Sequence, residues 1–161
     1  MRLPVFDIVL LAVCVAALVW AYRRVISYGR SRQAPAALLA VGSLAALCGL
    51  ANGLLGGAHL MAVFGRALQG KGALGAPAFR YDFAFRSLVL VGMAVSIPGF
   101  LCLSQARGLV RGEASAAKIA FGLSLWLLAV NALLWRAFAP LLALLALVNL
   151  IGLLATRKRF Q

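Results

Sequence analysis

Apolar residues do not alternate with polar ones along this chain. They come in runs of about twenty, separated by short segments where Arg and Lys collect. At ~1.5 Å per residue, a helical run of that length covers the roughly 30 Å hydrocarbon core of a bilayer. The pattern predicts five spans, near residues 3–22, 35–60, 87–106, 119–135 and 140–156, with an outer loop over residues 65–86. The expected fold is all-α: a polytopic membrane bundle forming one domain over residues 1–161. No segment between the runs is long enough to bury a second, soluble core.

Several boundaries carry more information than length alone. The basic pair Arg23 and Arg24 follows the first run, and only Arg2 precedes it, so the run reads as a retained helix rather than a cleaved leader. Residues 23–33 and 107–118 read as short basic loops. The second run, starting at Pro35 and reaching toward residue 64, would be about 45 Å long as one helix. It must tilt, project or break, and Gly56-Gly57 is the expected break. Residues 119–156 would make about 57 Å, too much for one span. Trp135, Arg136 and Pro140 divide them; treating them as one gives a four-span alternative. Pro98 should kink the third span and free a carbonyl that Ser96 is near enough to help satisfy. Within the loop, residues 65–77 are Gly-rich and flexible by composition. Residues 79–86 alternate aromatic with mostly polar positions, as an extended segment or an interfacial belt would.

Composition sharpens the class. The chain is 65% hydrophobic and 12% charged, with a mean hydropathy of +1.02, whereas soluble domains run near 45–50% apolar and about 25% charged. A net charge of +13 would suggest nucleic acid in a soluble protein. Here the cations sit at the ends of apolar runs, as topology signals and anchors for anionic lipid headgroups do, and no nucleic-acid partner is expected. Under five spans, ten Lys and Arg fall on one side and six on the other. The richer side is predicted cytoplasmic, which puts the N-terminus outside and the C-terminus in the cytoplasm. Thirteen Arg against three Lys, with heavy use of Ala, Leu and Gly, suits a GC-rich bacterial genome and hence an inner membrane.

Chemistry-bearing residues are few. Gly49, Gly53 and Gly57 recur every four residues, forming a helix ridge where another backbone can approach, with Asn52 beside it. Asn52 and His59 are two turns apart on one face. Past the expected break, however, His59 falls near the outer surface. Asp7, His59, Asp82, Arg86, Asn131 and Arg136 all fall toward the outer half under the five-span topology. They form an outward-facing polar pocket, with Asp7 or Asp82 setting the charge of His59. Alternatively, Asn52, Asn131 and Asn149, the last closer to the middle, hydrogen-bond across helices, while Asp7, Arg86 and Arg136 sit at the interface. Cys14, Cys48 and Cys102 each lie in a different apolar run, without Cys-x-x-Cys spacing, and read as small hydrophobes.

A nucleophile–base pair would need a partner for the single His59 that the sequence does not display. There is no His-Glu-x-x-His and no second His for a bis-imidazole haem, so no cofactor is expected. The expected function is a non-catalytic accessory subunit of an inner-membrane complex, docking on other membrane proteins or copies of itself through the Gly-x-x-x-Gly face. A small homo-oligomeric transporter or channel is the alternative, and an intramembrane enzyme or cofactor holder the third reading.

Overall fold

A computed structural model describes residues 5–31, 33–68, 83–133 and 139–160, without the side chains of 5–11, 14, 18, 66–68, 83–85 and 139. Five α-helices follow one another: α1 (Val5–Ser31), α2 (Ala36–Leu68), α3 (Phe83–Arg111), α4 (Ala114–Leu133) and α5 (Ala139–Ala155). A short 3-10 helix, Arg157–Arg159, follows α5. No strand occurs among the described residues. Residues 36–65 of α2, 86–111 of α3 and 114–133 of α4 are each long and apolar enough to cross a membrane, while residues 140–155 form a shorter apolar helix.

The helices overrun the apolar runs that predict them. The expected basic loop over 23–33 is mostly the last turns of α1, which ends in a left-handed C-cap. Gln33 takes φ 51°, its N–H reaches the Arg30 carbonyl at 3.2 Å, and the Ala34 N–H reaches Gly29 at 3.0 Å. This crossed pair of bonds satisfies carbonyls that the helix end would otherwise orphan. The α3–α4 connection repeats the device with Gly112 at φ 77°: the Gly112 N–H bonds Leu109 and the Glu113 N–H bonds Gly108, both at 3.0 Å. Only residues 112 and 113 separate α3 from α4, so the expected loop over 107–118 is two helix ends and a tight turn. α3 likewise begins at Phe83, so the last residues of the aromatic segment are helical rather than extended. Residues 69–82 and 134–138 lie outside the described set, and with them most of the expected outer loop and the Trp135–Arg136 divider.

α2 is the central helix: 67% of its most apolar stretch is buried inside the bundle, against 28% for α3 and for α4. It continues unbroken through Gly56-Gly57. The expected break there does not occur, because a helix under close tertiary contact absorbs the ~1 kcal/mol that each Gly costs. Its partner is α3, running antiparallel. A Cβ on Gly42 would sit 3.0 Å from the Ala106 carbonyl oxygen, and one on Gly49 would sit 2.6 Å from that of Gly99 and 2.5 Å from the Leu103 nitrogen. One on Gly56 would meet the Ser96 nitrogen at 2.6 Å. The backbones therefore touch, and glycine is required because no side chain fits between them. Gly57 is off this seam, with open space where its Cβ would be. The contact row is Gly42, Gly49, Gly53 and Gly56, facing Gly99 and Ala106 on α3.

Pro98 lies within α3. Lacking an N–H, it leaves the carbonyl four residues back, that of Ala94, without its helical donor. The Trp126 indole of α4 donates to that oxygen at 3.0 Å, so the freed group is satisfied by a neighbouring helix.

The two halves of α1 behave differently. Ala21, Val25 and Gly29, four apart, are buried, with Val25 packed among Ala46, Ala106 and Val110. Toward the N-terminus, Ala12, Val13, Val15, Ala16, Val19 and Trp20 are exposed, and of the side chains described there only Ala17 is half-buried.

Candidate functional site

The polar side chains of the helices converge on the inside of the bundle. On α4, Ala116, Ala120, Ser124, Leu127 and Asn131 form one buried stripe at intervals of three and four. On α5, Leu142, Ala146, Asn149 and Leu153 do the same, and Cys48 and Asn52 on α2 and Cys102 on α3 face them. These residues, one every few turns on the inward stripe, bring four helices to a common polar core.

The core has two tiers. In the first, Asn131 Nδ2 donates to Asn52 Oδ1 at 2.9 Å and to the Leu127 carbonyl at 2.8 Å. Asn52 Nδ2 donates to the Cys48 carbonyl at 2.9 Å. In the second, Asn149 Nδ2 donates to Ser124 Oγ at 2.8 Å and lies 3.9 Å from Cys102 Sγ. The Ser124 hydroxyl donates to the Ala120 carbonyl at 2.7 Å. The Cys102 thiol points to the Ala45 carbonyl at 3.7 Å; Cys48 and Cys102 are both free thiols. Asn52, Ser124 and Asn149 are wholly enclosed, and Asn131 nearly so. Asn149 Oδ1 is the buried acceptor that finds no hydrogen-bond partner among the described residues. The groups are amides, thiols and a hydroxyl, with no carboxylate among them. They can hold helices in register.

His59 is placed by the far end of the α2–α3 seam. Its Nε2 lies 3.2 Å from the Leu88 carbonyl oxygen, and since a carbonyl only accepts, Nε2 carries the proton. Its Cδ2 would be 3.2 Å from a Cβ at Gly92. His59 and Asn131 line one cleft of about 130 Å³, together with Gly56, Gly92, Val95 and Leu142. Of the six residues expected to form a polar pocket, the structure brings these two to one cleft. Arg86 is exposed on the first turns of α3. Asp7 lies on α1 but its side chain is outside the described set, as are Asp82 and Arg136 altogether. Among the described residues, no three His, Cys, Asp or Glu are grouped to hold a metal ion.

Sequence patterning misses Ser124, Cys48 and Cys102 as members of this core, whereas Asn149 is expected to hydrogen-bond across helices and does so to Ser124. A usable signal exists for Ser124. Ser124 and Asn131 are seven apart and so share one face of α4, and within an apolar helix a polar residue marks the side that faces protein. By the same rule Asn149 marks the inward side of α5.

The opposite end of the bundle is basic. The Arg111 Nε donates to the Tyr28 hydroxyl at 2.6 Å, and the guanidinium groups of Arg107 and Arg111 lie 6.0 and 5.7 Å from the Tyr28 ring centroid. Arg111 pairs with Glu113 at 3.3 Å. The Arg159 carbonyl oxygen would be 3.3 Å from a Cβ at Gly112. The C-terminal ends of α1, α3 and α5 are thus brought together. No protein family, no curated protein and no solved structure matches this chain.

Proposed function

We propose that the chain is a five-span protein of the bacterial inner membrane that serves as a non-catalytic accessory subunit, docking beside a partner helix. The N-terminal half of α1 carries this reading. Residues 12–20 are apolar, yet those whose side chains are described are exposed around most of the helix circumference apart from Ala17. A helix that is hydrophobic all round lies in a protein core or spans a membrane, and among the described residues this stretch of α1 is left largely uncovered by its own chain, free to meet a partner helix in the bilayer. The full enclosure of Asn52, Ser124 and Asn149 also favours a scaffold, since groups spent on interhelical bonds line no aqueous path.

The expected docking face moves with this reading. The glycine face of α2 is filled by α3 of the same chain, so the surface offered to a partner is that of α1. The clustering of Tyr28, Arg107, Arg111 and Arg159 at one end is what an odd number of crossings requires of the two basic turns and the basic tail. Their excess of cations makes that end cytoplasmic. Gentle extraction from native membranes tests the proposal. The expected result is a complex well above the 16.9 kDa chain mass that contains a second membrane protein; a monodisperse monomer would overturn it.

A second reading, a small oligomeric transporter, has one observation in its favour: the cleft shared by His59 and Asn131. Flux in proteoliposomes that His59→Ala and Asn131→Leu both abolish would support it, and unchanged flux would remove it.

A further inference from the structure

One cleft belongs to neither the polar core nor the α2–α3 seam. It lies at the basic end, between the start of α4 and the end of α5, with a volume of about 540 Å³. Its walls are apolar, chiefly Phe121 from α4 and Leu153 and Leu154 from α5, with Phe160 closing one side. Phe160 is half-buried and packs on the same core cluster as Ala117, so the chain after α5 folds back to shape the cleft rather than trailing away. Lys118 and Arg157 both line it and are otherwise exposed. Among the described residues the one ion pair is Arg111–Glu113, so neither cation is matched by a carboxylate. The first turn of α4, beginning at Ala114, is at the same place and adds the positive end of a helix dipole.

We infer that this cleft binds one anionic glycerophospholipid, its phosphate held between Lys118 and Arg157 and an acyl chain lying along Phe121, Leu153 and Leu154. The two halves of the cleft select this occupant together. Free phosphate would meet the cations but leave the aromatic and leucine walls wet, while a zwitterionic lipid would cover the walls but bring its own headgroup cation beside Lys118 and Arg157. A diacyl lipid with a net negative headgroup satisfies both, and basic pockets at the cytoplasmic ends of membrane helices are suited to such headgroups. The inference rests on the membrane reading given above and adds to it a defined lipid site.

The test reconstitutes the full chain into nanodiscs containing equal phosphatidylglycerol and phosphatidylcholine of the same acyl composition, then counts retained lipid by native mass spectrometry. One phosphatidylglycerol should remain on the wild type in preference to phosphatidylcholine, and inorganic phosphate should not displace it. The Lys118→Gln/Arg157→Gln pair should lower that retention about 30-fold, while Arg24→Gln, on α1, leaves it unchanged. Leu154→Trp, which fills the apolar part without touching a charge, should lower it too, and it keeps the test decisive if the double variant folds poorly. Equal retention of the two lipids by wild type, or retention by both variants as in wild type, overturns the lipid site alone. Failure of the protein to enter a bilayer at all overturns the membrane reading and the site with it.

Discussion

The α2–α3 seam and the N-terminal half of α1 are built from similarly apolar sequence, yet one is the tightest contact in the molecule and the other makes almost none among the described residues. Hydrophobicity does not separate them. What differs is the placement of small residues. α2 presents Gly42, Gly49 and Gly56 at intervals of seven, and α3 answers with Gly92, Gly99 and Ala106 at the same interval. Two backbones can therefore approach along their whole length. α1 has its one glycine, Gly29, in the half that packs; residues 12–20 contain no glycine, and their smallest residues are Ala12, Ala16 and Ala17. In an apolar medium there is no hydrophobic drive to bring helices together, so close packing and hydrogen bonding decide which surfaces associate.

The largest effect should come from opening the seam. Gly49→Leu or Gly99→Leu drives a side chain into opposing backbone and should cost ~3 kcal/mol or more, read as loss of a cooperative melt by circular dichroism in detergent. Gly57→Ala, about two turns along the same helix but facing open space, should be neutral or stabilise by up to ~1 kcal/mol. Equal effects at Gly49 and Gly57 would contradict the seam. Next in size is the pair that ties α4 to α2. A double-mutant cycle of Asn52→Leu and Asn131→Leu should give a coupling energy between ~0.6 and ~2 kcal/mol, and strict additivity would show that the 2.9 Å bond contributes nothing. Smaller still is the indole that serves the proline kink. Trp126→Phe should cost ~1 kcal/mol in wild type and less in a Pro98→Ala background, where Ala94 regains a backbone donor. An undiminished cost in that background would assign the loss to ring packing instead.

Much of the architecture is legible in the chain, and the places where it is not share a physical cause. Five apolar runs announce five helices, but their ends are misjudged because Arg and Ser at 23–31 and Arg at 107–111 continue a helix as readily as a loop. Gln33 and Gly112, not the charges, end α1 and α3. The glycine ridge is visible, but spacing of four singles out Gly57, whereas an interlocked antiparallel pair repeats every seven and so uses Gly42 and Gly56. Asn52 is identifiable as an inward residue; that it meets Asn131, or that Asn149 meets Ser124 and Cys102, depends on which helices adjoin, and no single-helix pattern encodes that. Ser96 is the nearer candidate in sequence for the Ala94 carbonyl, but Trp126, thirty-two residues on, supplies the donor.

The contrast comes down to an α2 closed within the chain and an N-terminal half of α1 left uncovered, the face we propose for a partner. A photoreactive phenylalanine analogue placed in native membranes at Val15, and separately at Leu125 on the outer face of α4, tests both halves at once. Crosslinking from Val15 to one discrete protein band, with only lipid adducts from Leu125, is the predicted result. Lipid adducts alone from both positions would contradict it.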